Sequence, residues 1–171
     1  MRHVARDGNG VRQEPDTGVR AEAVQGGCWE RMLASAANLG GSVEDRDRPR
    51  FVLALEPVEG AVRAARDTVR AALEDWNRQD VHGDVELITS ELVTNAIRLA
   101  NSVTLVLYLP DDKTAMVEVW DDNPEGPSAP IVDSQAEGGR GLLLVGALSN
   151  SWGWRATADG KVTWAQAPAP G

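Results

Sequence analysis

The chain has 171 residues and 42% hydrophobic content, enough for one domain with a real core, and it carries 26 acidic against 17 basic residues for a net charge of −9. That balance, without any basic run, speaks against a nucleic-acid partner, because such proteins neutralise phosphates with clustered Lys and Arg. Cys28 is the single cysteine, so an internal disulfide framework is excluded and a reducing compartment fits. No apolar leader and no bilayer-length apolar stretch is present, and a soluble, cytoplasmic protein is expected.

Residues 1–48 are polar and punctuated by Gly, ending in the charge mixture "VEDRDRPR", and are expected to be a disordered extension. Within them Trp29, Met32, Leu33 and Ala36 have helical spacing, which leaves a short partner-docking helix as the alternative. A regular domain is expected over 49–167, with 168–171 as a tail. "RFVLALE" alternates and predicts a strand closed by Pro57. Val58, Val62, Ala65, Val69, Ala72 and Leu73 recur at helical spacing and predict a helix over 58–78. A second helix is predicted over 81–100, with Asp80 as its N-cap. "SVTLVLYLP" and "TAMVEVWD" read as a hairpin turning at Asp111, Asp112 and Lys113. A Pro- and Gly-containing loop follows over 123–138, then an apolar helix over 142–149. "SWGWRAT" and "KVTWAQA", joined at Asp159-Gly160, make a second hairpin. Antiparallel strands with helices collected together imply an α+β fold, a two-layer sandwich rather than a doubly wound parallel sheet.

Three places could carry chemistry. In "SELVTNAIRLA", 90–100, Glu91 and Asn95 stand one turn apart with Arg98 continuing the line, beside a stripe of Val85, Ile88, Leu92, Ala96 and Leu99. A carboxylate there can orient or deprotonate a hydroxyl, and a carboxamide oxygen is a neutral hard ligand suited to Mg²⁺. Taken alone, the plainer reading is an amphipathic edge with Arg98 paired to Glu91. Asp121 closes the inward row Ala115, Val117, Val119 of its strand, where it could accept from an exocyclic amine; the plainer reading is an Asx-turn. Asp122 is expected to point outward as a turn residue only. In "EGGRGLLLV", 137–145, glycines precede a helix N-terminus, a phosphate-cradle chemistry that is neither a P-loop nor a dinucleotide fingerprint. His3 and His82 are isolated, the strand tryptophans are explained by packing, and Lys161 reads as a solvated turn lysine.

Together and in this order, "ELVTNA", a strand ending in Asp, a Pro/Gly loop and "GRGLLLV" opening a helix resemble the GHKL (Bergerat-fold) ATP-binding domain. The wording "SELVTNAIR", "GGRGLLLVGALS", "SWGW" and "GKVTWA" is similar to that of its small stand-alone members related to anti-sigma-factor serine/threonine kinases. The resemblance spans about 51–166. It implies a mostly antiparallel sheet covered on one face by helices, with ATP and Mg²⁺ as ligands. By the same resemblance Glu91 matches the general base, Asn95 the Mg²⁺ ligand and Asp121 the carboxylate that selects adenine. Gly139 and Gly141 match the glycine box that meets the phosphates, with Arg140 between them to neutralise phosphate charge and Leu142 completing the nucleotide-binding run. The implied partners are an anti-sigma-factor antagonist protein or a sigma factor, with a homodimer left open. The chain departs from the pattern at Leu99-Ala100, where relatives carry His-Gly, and at Asn123-Pro124, where relatives carry Gly. Two functions follow: a protein kinase that phosphorylates an antagonist protein, or a nucleotide-dependent module acting by contact alone.

Overall fold

The computed structural model describes residues 19–20, 48–127 and 140–168. In chain order it contains β1 (Val19–Arg20), β2 (Arg50–Leu55), α1 (Ala61–Asp75), α2 (His82–Ile97), β3 (Val103–Asp111), β4 (Thr114–Asp121), α3 (Arg140–Leu148), β5 (Ser151–Thr157) and β6 (Gly160–Pro168). The six strands form one sheet in the order β1-β2-β3-β4-β6-β5, and every pairing among them is antiparallel. The two-residue β1 lies inside the stretch expected to be disordered and pairs with Leu55 and Ala54 on the edge of β2. The spacing of Trp29, Met32, Leu33 and Ala36 lies outside the described residues.

Alternation decides which face of each strand meets the helices. Leu53, Leu105, Leu107, Val117, Val119 and Ala165 join Ala65, Val69, Val85, Ile88, Leu92 and Val145 of the helices in one buried cluster. The opposite face holds a small separate cluster of Val106, Trp120 and Val162 with Tyr108 against it. Its buried Glu118 accepts from the Tyr108 hydroxyl at 3.3 Å and from Trp120 Nε1 at 3.0 Å, which satisfies a carboxylate taken out of water. The result is the two-layer α+β sandwich expected from the sequence.

The ends of the helices differ from the expected ones for local reasons. Val58 lies before α1, which starts only after Gly60 has taken a φ of +97°. The helix stops at Asp75 because Asn77 adopts φ 55°, so that its N–H reaches Glu74 O at 3.0 Å and Arg78 N–H reaches Leu73 O at 2.7 Å. This is the paired closure of a left-handed C-terminus, with Asn standing where Gly is commonest. The Asp80 side chain does not cap α2; it binds the Arg78 guanidinium at 3.0 and 3.2 Å while a 3₁₀ turn, Gln79–Val81, leads into the helix. Leu99, expected on the buried stripe, falls beyond the end of α2 and is 65% exposed. No helix among the described residues is long and apolar enough to cross a membrane.

α1 and α2 are joined at their surface by Arg70, whose Nε and second guanidinium nitrogen reach the two oxygens of Glu86 at 2.8 and 2.5 Å. The Arg70 hydrogen bond lowers the pKa of Glu86, partly opposed by burial. A carboxyl whose folded pKa is depressed adds stability above its unfolded pKa and loses it as pH falls through the folded value. We therefore expect Glu86→Gln to lower the melting temperature at pH 7, with the gap to the parent closing as pH falls below about 4. Thermal melts of both proteins across that range check this, and a gap that persists in acid would assign the loss to packing instead.

Candidate functional site

α2 is rotated by its core. Val85, Ile88, Thr89, Leu92, Val93 and Ala96 are all buried, which leaves Glu91 and Asn95 half-buried along one margin of the helix. Arg98 is exposed, and no ion pair joins it to Glu91 among the described residues. Glu91 instead lies against α3. A Cβ built on Gly141 would fall 2.2 Å from Glu91 Oε2 and 3.2 Å from its Cδ, so only a glycine leaves room for the carboxylate at this first turn. Arg140 opens α3 and is exposed, while Leu142 turns into the core. Gly139 lies outside the described residues, as does the rest of 128–139.

Asp121 stands at the end of the sheet where α2 also finishes. It pairs in register with Val103, the first residue of β3, and the intervening turn is tied to β4 by Asn101 N–H, which donates to Asp122 Oδ1 at 2.8 Å. That backbone hydrogen bond lowers the Asp122 pKa, so Asp122 is exposed as expected but does more than make a turn. Asp121 itself is buried at 8% exposure. Its Oδ1 accepts from Asn123 N–H at 3.0 Å, the expected Asx-turn. The same oxygen accepts from Lys161 Nζ at 2.8 Å, and Nζ also donates to the Asn123 carbonyl at 3.0 Å. Lys161 is therefore no solvated turn lysine; it is 6% exposed and faces the helix layer beside Asp121.

Sequence reasoning missed this pair because the partners are 40 positions apart. The signal that could have found it is register: the turn lies at Ala158-Asp159, one residue earlier than expected, Lys161 is the second residue of β6, and Asp121 ends the strand paired with β6. Trp120 is buried and Trp164 half-buried, but Trp152 and Trp154 on the edge strand keep 38% and 46% of their surface exposed. Packing alone therefore does not account for all four strand tryptophans. A Cβ on Gly126 would fall 2.6 Å from the Trp154 ring, so the segment after Asp121 lies directly on that ring.

Among the described residues no group of three or more His, Cys, Asp or Glu could hold a metal ion. A cation beside Asn95 would therefore take its other ligands from phosphate and water, the usual habit of Mg²⁺. The residues present fit that arrangement: Asn95 offers one neutral amide oxygen, and the carboxylate one turn away is occupied against the glycine start of α3.

The contact between Gly141 and Glu91 predicts a non-additive pair. Gly141→Ala meets only the far end of a flexible side chain, so the protein is expected to fold with Glu91 displaced. In a Glu91→Ala background the same change should stabilise by about 0.5–1 kcal/mol, the helix preference of Ala over Gly. Chemical denaturation of the four proteins measures the coupling, and additive effects would remove the contact.

Residues 55–167 match the family of the histidine kinase-like ATPase domain. Among solved structures, the RsbU and RsbW domains of Rv1364c from Mycobacterium tuberculosis are similar in fold, with a TM-score of 0.54 and 19% sequence identity over 70% of this chain. The match covers 32% of that protein's length. No protein of curated function matches the sequence. With two thirds of its length inside the family's match, the chain belongs to the histidine kinase-like ATPase domain family.

Proposed function

We propose that the protein binds Mg-ATP and transfers the γ-phosphoryl group to a Ser or Thr hydroxyl of a small antagonist protein, as an anti-sigma-type regulatory kinase. The observation that carries the reading is the arrangement on α2: Glu91 and Asn95 one turn apart, the glycine start of α3 against Glu91, and Asp121 where the helix ends. The match to the histidine kinase-like ATPase family and the similarity in fold to a structure containing an RsbW domain support the ATP-binding part of this reading.

Each residue has a separate task. Asp121 accepts a hydrogen bond from the adenine amino group, and the backbone at Gly139, Gly141 and Leu142 together with Arg140 meets the phosphates. Asn95 would hold Mg²⁺ through its amide oxygen, and the bound ion would neutralise charge on the phosphates. Glu91 orients the acceptor hydroxyl and takes its proton as that oxygen forms the new bond to the γ-phosphorus; the bond to the β,γ-bridging oxygen breaks and ADP leaves. Phosphoryl transfer asks for positioning and charge stabilisation rather than covalent chemistry, which suits so small a set of groups.

One observation favours the second reading, a nucleotide-dependent module that acts by contact alone. The segment following Asp121 is pinned by Lys161 at Asn123 and by Trp154 at Gly126. That fixes the start of the Pro- and Gly-containing loop over 123–138 that leads to the glycine box.

Two experiments test the proposal. Isothermal titration with ATP should show tight binding only with Mg²⁺ present, and equal affinity in excess chelator would remove Asn95 from its metal role. Transfer of labelled phosphate to candidate antagonist proteins should fall by roughly 10²–10⁴-fold in Glu91→Ala while ATP affinity stays near parental, the pattern of a lost general base. Parental transfer rates in that folded variant would sink the kinase reading. An absence of transfer by the parent, with ATP-dependent partner binding unaffected by the substitution, would establish the contact-only module.

A further inference from the structure

The Asp121–Lys161 pair has features that a stabilising surface contact does not need. The two residues are directly opposite in the antiparallel β4–β6 register, and their side chains are 2% and 7% exposed. Burying two charges costs desolvation that their attraction often fails to recover, so a pair this deep is weak evidence for stability as its purpose. The approach that allows it is built into the backbone. A Cβ on Gly160 would fall 1.9 Å from the Asp121 carbonyl oxygen and 2.8 Å from Asp122 Cα, and Gly160 holds a φ of +154°. Only glycine there lets the start of β6 close on the end of β4 and bring Nζ to the carboxylate.

The contacts on the carboxylate are one-sided. Lys161 Nζ and Asn123 N–H both end on Oδ1, and among the described residues none reaches Oδ2. A carboxylate offers acceptor sites on both oxygens, so saturating one while fixing its plane leaves the other as a pre-aimed acceptor. Lys161 holds the Asn123 carbonyl at the same time, which fixes the first residues after the strand to the same ammonium group.

We propose that Lys161 is a positioning residue for base recognition: by engaging Oδ1 it fixes the rotamer of Asp121 and keeps Oδ2 for the 6-amino group of adenine. The inference rests on the reading of Asp121 as the base contact and goes beyond it by assigning the selectivity to a pair rather than to a single carboxylate. Without the ammonium, Asp121 keeps its acidic group but loses the restraint that orients it. Selectivity for the amino group then falls, even in molecules that remain folded.

The test compares ATP with purine riboside triphosphate, which lacks only the 6-amino group, in the full-length parent and in Lys161→Met, Lys161→Gln and Lys161→Arg. Affinities come from titration, and folding of each variant from circular dichroism and melting. The parent should prefer ATP by about tenfold or more, about 1.4 kcal/mol. That preference should collapse towards equality in folded Lys161→Met, remain intermediate in Lys161→Gln, which keeps a donor without the charge, and recover in part in Lys161→Arg. A merely structural lysine would lower the melting temperature and leave the preference of the folded molecules unchanged. A parental preference in either neutral variant, once folded, overturns the assignment of Lys161 while leaving the Asp121 contact standing. A parent that binds both nucleotides equally, or neither, overturns the Asp121 reading and this inference with it.

Discussion

The site depends first on how α2 is rotated. Six of its residues between Val85 and Ala96 are buried against the sheet and the neighbouring helices, and a helix with that many core contacts cannot roll without exposing several of them. Each fully buried Val, Ile or Leu contributes roughly 1.5–3 kcal/mol, so even a partial roll outweighs anything the polar margin could gain. The line of Glu91 and Asn95 is therefore placed by residues that have no chemistry of their own. α3 is then placed against this line, and the glycine at its start sets how closely the two helices approach.

Much of this was legible because periodicity carries it. The hairpin β3–β4 follows from two β-branched- and apolar-rich runs on either side of a turn whose Asp111 side chain accepts from Lys113 N–H and Thr114 Oγ at 2.8 Å each. The inward row ending in Asp121 follows from the same period of two, and Asp121 does lie on the helix-facing side. Helix ends were less legible, since the spacing of apolar residues does not register a single left-handed residue such as Asn77. Leu99 misled in the same way: it keeps the helical period of its neighbours after the helix itself has ended.

The Lys161 contact was hidden for a different reason. Local pattern describes a lysine after a turn as solvated, and that is correct whenever the turn projects into water. Here the turn is Ala158-Asp159, and Gly160, which opens β6 opposite Thr157, lies against the end of β4, so the side chain that follows is buried beside Asp121. A burial produced by the approach of two strands is a property of register, and register is set by the whole sheet rather than by any window of the sequence.

The two ends of the site are built with different stiffness. At the Asp121 end, the neighbour of Gly160 is backbone, the carbonyl of Asp121 and the Cα of Asp122, so nothing there can yield without moving a strand. At the Glu91 end, the neighbour of Gly141 is the tip of the Glu91 side chain, which can swing by rotation about its own bonds. The base contact proposed for Asp121 is thus tied to the sheet, while the group proposed to handle the acceptor proton sits on the adjustable part. In this architecture the loss of Glu91 leaves the Asp121–Lys161 pair and its hydrogen bonds untouched. The contacts proposed for binding and for turnover are therefore separate, and the first can persist when the second is lost.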